Sequence, residues 1–218
     1  MKRVFYFLVI TAIALPSCKK DNEIATCSVN VINGKMLYGG EELNDRVAVV
    51  KFLVNAERKS DPVSLKYVWL GVEVAKGDYR NGDFKINLPD NVDDLKPFDL
   101  ELPPKAKVSN KYVMYANSGF IAYNKDDEQV GYFYYTHFFF CEETYVESGV
   151  FYFDRDFTIT GSDREEDHNW SINCNFKKGW NFMFLTHSRN SDGINTVDIT
   201  TSEPNCMYWN FETNSARY

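Results

Sequence analysis

Phe120-Ile121-Ala122-Tyr123 and Gly131-Tyr132-Phe133-Tyr134-Tyr135-Thr136 flank the polar run Asn124-Lys125-Asp126-Asp127-Glu128. Runs of aromatic and β-branched residues on either side of Asn/Asp-rich turn chemistry read as paired strands. The same texture continues outward. Phe138–Cys141, Val150–Phe153, Phe157–Thr160 and Trp170–Phe176 follow; Lys177-Lys178-Gly179 then turns into Trp180–Thr186, and Thr196–Thr200 and Met207–Phe211 close the series. On the N-terminal side lie Val29–Leu37, Val47–Val54, Tyr67–Val74 and Phe84–Leu88, whose Phe84, Ile86 and Leu88 share one face. Gly39-Gly40, Asn44-Asp45, Ser60-Asp61-Pro62, Lys76-Gly77-Asp78 and Asn81-Gly82-Asp83 supply the turns between them. No twelve-residue window carries a helical period. The expectation is an all-β chain with antiparallel β-sandwich architecture, in two packed or tandem units. Residues 132–140 are aromatic at both alternating positions, which predicts a strand pair buried on both sides.

The boundary between the two units is a change of composition. Pro89, Pro97, Pro103 and Pro104 crowd together with Asp90, Asp93, Asp94, Asp99 and Glu101. Proline cannot donate to a sheet ladder, so residues 89–111 read as a connector between an N-terminal unit (28–88) and a C-terminal one (112–218). A long loop within a single sandwich is the alternative. Hydrophobic residues at 44 % and charged residues at 25 % exclude a disordered, collagenous or coiled-coil chain. The net charge of −7 leaves no basic footprint for nucleic acid.

Residues 1–17 read as a signal peptide. Lys2 and Arg3 precede Val4–Leu15, in which only Thr11 is polar. Twelve helical residues span about 18 Å, short of a bilayer core of about 30 Å. Leu15-Pro16-Ser17-Cys18 resembles the lipobox of bacterial lipoproteins, with Pro16 departing from the usual pattern. The resemblance implies cleavage between Ser17 and Cys18 and lipid attachment at Cys18, with the acyl chains holding the protein to the membrane. Lys19-Lys20-Asp21-Asn22-Glu23, within a tether covering 18–27, is similar to the segment after the lipid cysteine in surface-exposed lipoproteins of the Bacteroidetes. This implies an outer-membrane, cell-surface address. The remaining Cys27, Cys141, Cys174 and Cys206 allow three pairings, and either disulfides or buried thiols fit them. Cys174 alternates with Trp170, Ile172 and Phe176 on the inward side of a strand.

Two further resemblances concern the folded part. Ile32-Asn33-Gly34-Lys35, Val47-Ala48-Val49-Val50 and Asn81-Gly82-Asp83-Phe84 leading to Leu88-Pro89 resemble carboxypeptidase-regulatory-like or transthyretin-like modules, which are scaffolds without catalytic residues. Asp154–Gly161, Lys177–Asn181 and Thr200–Pro204 followed by Met207–Phe211 resemble a family of uncharacterised Bacteroides-type lipoproteins. That resemblance implies an address and a β-fold, and no activity.

No catalytic residue, metal ligand or cofactor is expected. His137, His168 and His187 lie in no nucleophile, zinc or phosphate motif. Asp154 and Asp156 would stand about 6.7 Å apart on a strand with Arg155 pointing away, between the two glycosidase separations; a solvated turn is the favoured reading. Asp163, Glu165, Glu166 and Asp167 with His168 offer a hard-cation cluster or, in the favoured reading, a solvated loop. Aromatic rings match the C–H faces of sugars, so the four tryptophans are either stacking platforms or core packing. Trp170 falls to the core; Trp69 with Tyr67 is the candidate ligand-binding pair. The expected function is a lipid-anchored, non-catalytic surface binding module with glycans as candidate ligand. The alternatives are a structural component of a surface fibre or envelope complex, partnered by an envelope protein, and a lipocalin-like carrier of an apolar ligand.

Overall fold

Period-two burial sets the framework. β1 (Val31–Lys35) and β4 (Asp83–Asn87) alternate strictly between exposed and buried, and they pair antiparallel with Ile32 opposite Ile86. In the computed structural model, residues 29–60, 67–99, 102–103, 105–139, 144–164, 168–189 and 193–214 are described; residues 1–17, expected to be a signal peptide, and Cys18, Cys27, Cys141 and Glu165–Asp167 lie outside them. The other strands are β2 (Val49–Ser60), β3 (Tyr67–Arg80), β5 (Lys96–Pro97), β6 (Lys107–Val108), β7 (Met114–Tyr123), β8 (Gln129–Phe139), β9 (Thr144–Phe153), β10 (Phe157–Arg164), β11 (His168–Phe176), β12 (Gly179–Arg189), β13 (Asn195–Thr200) and β14 (Tyr208–Thr213). Among the described residues the one helical element is a single 3-10 turn at Glu41–Leu43.

The protein is all-β: one large, mostly antiparallel sheet folded as a sandwich around a packed aromatic core. The sheet is continuous across the proline-rich connector, because Val49–Val54 of β2 pair with Ser118–Tyr123 of β7. Its first core cluster draws Phe52, Phe84 and Ile86 from the N-terminal strands, and Phe120, Phe133, Trp180 and Trp209 from the later ones. A second cluster packs Tyr115, Phe153, Phe157, Trp170, Cys174 and Phe176. The connector contributes two edge fragments, β5 on β7 and β6 on β10, and lays Phe98 and Leu102 on this second cluster.

Four expectations are corrected. Lys76-Gly77-Asp78 is not a turn but lies inside β3. The glycine is there because β4 crosses close above it: a Cβ at Gly77 would stand 2.0 Å from the Lys85 carbonyl oxygen. The reversal comes at Asn81-Gly82, both at positive φ, as a two-residue hairpin requires. Residues 131–136 and 138–139 belong to one strand, β8. That strand is not buried on both sides: Phe133 is 2 % exposed, whereas Tyr134 on the opposite face is 37 % exposed. Finally, β13 runs parallel to β11. β11 and β12 run in opposite directions from their connecting turn, and β13 enters between them. Antiparallel to β12, it is necessarily parallel to β11.

Candidate binding site

β2 carries two irregularities against β3, after Phe52 and between Val54 and Glu57, with Asn55 at positive φ. Bulges bend a strand and sharpen its twist, and beyond them Trp69 of β3 covers the small cluster of Leu53, Ala56 and Ile121. Gln129 fixes that placement. Its Oε1 accepts the Trp69 backbone N–H at 2.9 Å, and its Nε2 donates to the Trp69 carbonyl at 2.7 Å and to the Tyr123 hydroxyl at 2.9 Å. A side-chain amide thereby satisfies both backbone groups of an edge-strand residue.

An aromatic row extends from Trp69. The Tyr132 ring lies 5.2 Å from it, and Tyr134 is 5.8 Å beyond Tyr132. Tyr67, two residues before Trp69, is on the same face; its ring carries the Arg58 guanidinium at 3.6 Å, which also lies 5.8 Å from the Tyr132 ring. The Tyr132 hydroxyl donates to Glu212 Oε2 at 2.6 Å. Burial first, then this carboxylate, pushes the Tyr132 pKa far above the usual phenol value, so it remains a neutral donor. Tyr67, Trp69 and Tyr132 are half-buried, each presenting part of its ring to solvent.

Beside this row is a cleft of about 150 Å³ lined by Trp69, Gly119, Tyr132, Tyr134, Ser148 and Gly149, among others. Strand topology creates it. β7 pairs with β8 at Phe120–Tyr123 and with β9 at Tyr115–Asn117, so three strands part company between those segments. The carbonyls freed at the junction are taken by serines: Ser118 Oγ donates to the Val150 carbonyl at 2.7 Å, and Ser148 Oγ to the Tyr135 carbonyl at 2.6 Å. Gly119 and Gly149 leave the gap unfilled; a Cβ at Gly119 would stand 3.2 Å from Ala56 Cβ, and one at Gly149 2.6 Å from the Phe151 ring.

The structure brings the predicted pair Tyr67 and Trp69 together with Tyr132, Tyr134, Arg58 and Glu212, which sequence reading did not connect. The alternating aromatics of β8 were the available signal, but they could not show which face stays open. The other tryptophans are core: Trp170 in the second cluster, Trp180 and Trp209 in the first, with the Trp180 indole N–H donating to the Pro89 carbonyl at 2.7 Å. The remaining candidates are separate. His137 is buried against the Asn205 carbonyl at 3.1 Å. His187 stacks on Tyr145, with ring centroids 4.3 Å apart. In the register His137 pairs with Val146 and His187 with Tyr145, which places the two rings on opposite sheet faces. His168 is exposed at the start of β11.

Asp154 and Asp156 lie between β9 and β10, not on a strand. Arg155 does not point away: it folds back, its Nε 2.9 Å from Asp154 Oδ2. Burial raises the Asp154 carboxyl, but the Arg155 guanidinium and the Met114 N–H more than offset it, leaving its pKa below the usual value. The Lys178 N–H and then the Lys177 ammonium lower that of Asp156. Asp163 is held low chiefly by Lys105. Among the described residues Cys174 and Cys206 are both free thiols, Cys174 buried and Cys206 exposed; Cys27 and Cys141 lie outside them. No protein-family model, no curated protein and no solved structure matches the chain.

Proposed function

We propose that this protein is a lipid-anchored, surface-exposed binding module that takes saccharides on the aromatic row. The observation that carries the reading is the run of partly exposed rings Tyr67, Trp69, Tyr132 and Tyr134 on one sheet face, with the Trp69 backbone held by Gln129 and its ring packed against Tyr132. Flat rings held rigidly suit the C–H faces of pyranoses, and rigidity lowers the entropy lost on binding. The anchor rests on Leu15, Ser17 and Cys18 and on the charged tether after them. The module is non-catalytic in this reading. Its paired carboxylates are engaged by lysine, arginine and backbone N–H groups at low pKa, where none serves as a general acid.

Affinity electrophoresis of the purified protein against a polysaccharide panel tests the reading. A retarded band is expected, weakened about fivefold in Kd by Tyr134→Ala, at roughly 1 kcal/mol per ring removed. No retardation with any polymer by a folded sample refutes it. Incorporation of labelled palmitate into wild type and its loss in Cys18→Ala tests the anchor. A second reading, assembly through a strand edge, draws on β3. Between Tyr67 and Asp78 its one strand partner among the described residues is β2, and Leu70 and Val72 there are 47 % and 50 % exposed.

A further inference from the structure

Arg58 is an exposed cation on the face that carries the aromatic row, opposite Trp69 in the β2–β3 register. Several cations elsewhere are ion-paired, Arg80 with Asp78, Arg155 with Asp154, Lys105 with Asp163, and Lys51 with Glu73 and Asp127, whereas Arg46, like Arg58, lies over a ring, that of Phe211. Arg58 has no carboxylate partner among the described residues, and its guanidinium is instead placed by rings, 3.6 Å over Tyr67 and 5.8 Å from Tyr132. Two acids near it among the described residues have partners of their own. Glu57 pairs with Lys59 at 3.6 Å, and Glu212 accepts the Tyr132 hydroxyl. Arg58 is exposed, and a guanidinium lying over a ring can still offer its in-plane N–H fork to a carboxylate through two parallel hydrogen bonds. In the register Arg58 faces Trp69 directly across the β2–β3 ladder, so the fork and the principal stacking ring share one face.

We propose that the saccharide taken by this site is acidic, a uronic-acid glycan whose sugar face stacks on Trp69 and Tyr134 while its carboxylate is held by Arg58. This rests on the saccharide reading above and narrows it to a chemical class. Charge makes the assignment discriminating. The chain carries a net −7, so an acidic polymer is repelled at long range and binds only where a specific cation offsets that field. A neutral glycan leaves the Arg58 fork unused.

The test is calorimetric titration of the purified full-length protein with uronate hexasaccharides (galacturonate, glucuronate and mannuronate), and with the same oligosaccharides reduced at the carboxyl to the neutral sugars. Wild type is expected to bind at least one uronate, and at least tenfold more tightly than its reduced form. Arg58→Gln abolishes that preference while unfolding at the wild-type temperature, and Arg58→Lys restores part of it through charge without the fork. Equal affinity for acid and reduced forms overturns the role of Arg58 and leaves the saccharide reading standing. If no uronate binds but a neutral polysaccharide does, this proposal fails alone. If nothing in either panel binds to a folded sample, both fail. An acid preference that survives Arg58→Gln also overturns the assignment.

Discussion

Asn181 offers the sharpest test of how the sheet is held. Its side chain is fully buried at the β11–β12 turn. The amide donates to the Lys177 carbonyl at 2.7 Å and the Gly179 carbonyl at 2.9 Å, and its oxygen accepts the Lys177 N–H at 2.9 Å. One side chain thus satisfies three backbone groups at the point where β11 and β12 begin to diverge around β13. Replacing it with alanine removes all three bonds in a place water does not reach. At about 1 kcal/mol each the loss is about 3 kcal/mol. For a chain of this size that lowers Tm by roughly 6–12 °C. Urea unfolding followed by tryptophan fluorescence reads the change as a lower midpoint at constant slope. A loss below about 1 kcal/mol at unchanged slope refutes the argument, since it means the freed turn groups are rehydrated at little cost. Asn181→Asp sharpens the test, because it keeps the acceptor for Lys177 N–H but loses both donors at neutral pH. It is expected to be at least as destabilised as the alanine variant at pH 7 and to recover as acid restores a donor.

Phe153 is fully buried against Phe157 and Phe176, with centroids 4.8 and 4.6 Å away. Phe153→Ala should cost about 3–5 kcal/mol in the same unfolding assay. Asp154 has a folded pKa below the usual carboxylate value, so its stabilisation is present above about pH 4 and lost as pH falls through the folded pKa. The stability gap between wild type and Asp154→Asn should therefore narrow between pH 5 and pH 2; a gap that widens on acidification contradicts the pairing with Arg155 and Met114. Burial pushes the Cys174 thiol up to about 12. Maleimide mapped by peptide mass should modify Cys206 in the native protein and Cys174 only after unfolding.

The strand content, the Asn81-Gly82 reversal and the inward placement of Trp170 and Cys174 were legible from the sequence, because each depends on neighbours within a few residues. Period-two alternation reports which side chains share a face, and turn chemistry reports where the chain can reverse. The tertiary structure decided which face stays open. Tyr132 and Phe133 are adjacent aromatics, yet Phe133 packs on Phe84 and Phe211 at the first core cluster while Tyr132 and Tyr134 stay partly exposed on the other face. The parallel seating of β13 and the three-strand junction at Gly119 and Gly149 were likewise invisible, since both arise from pairings between distant segments. So was the setting of Arg58, an ordinary charge in the sequence. Its place follows from the β2–β3 register beyond the bulges, which sets its guanidinium over Tyr67 and near Tyr132.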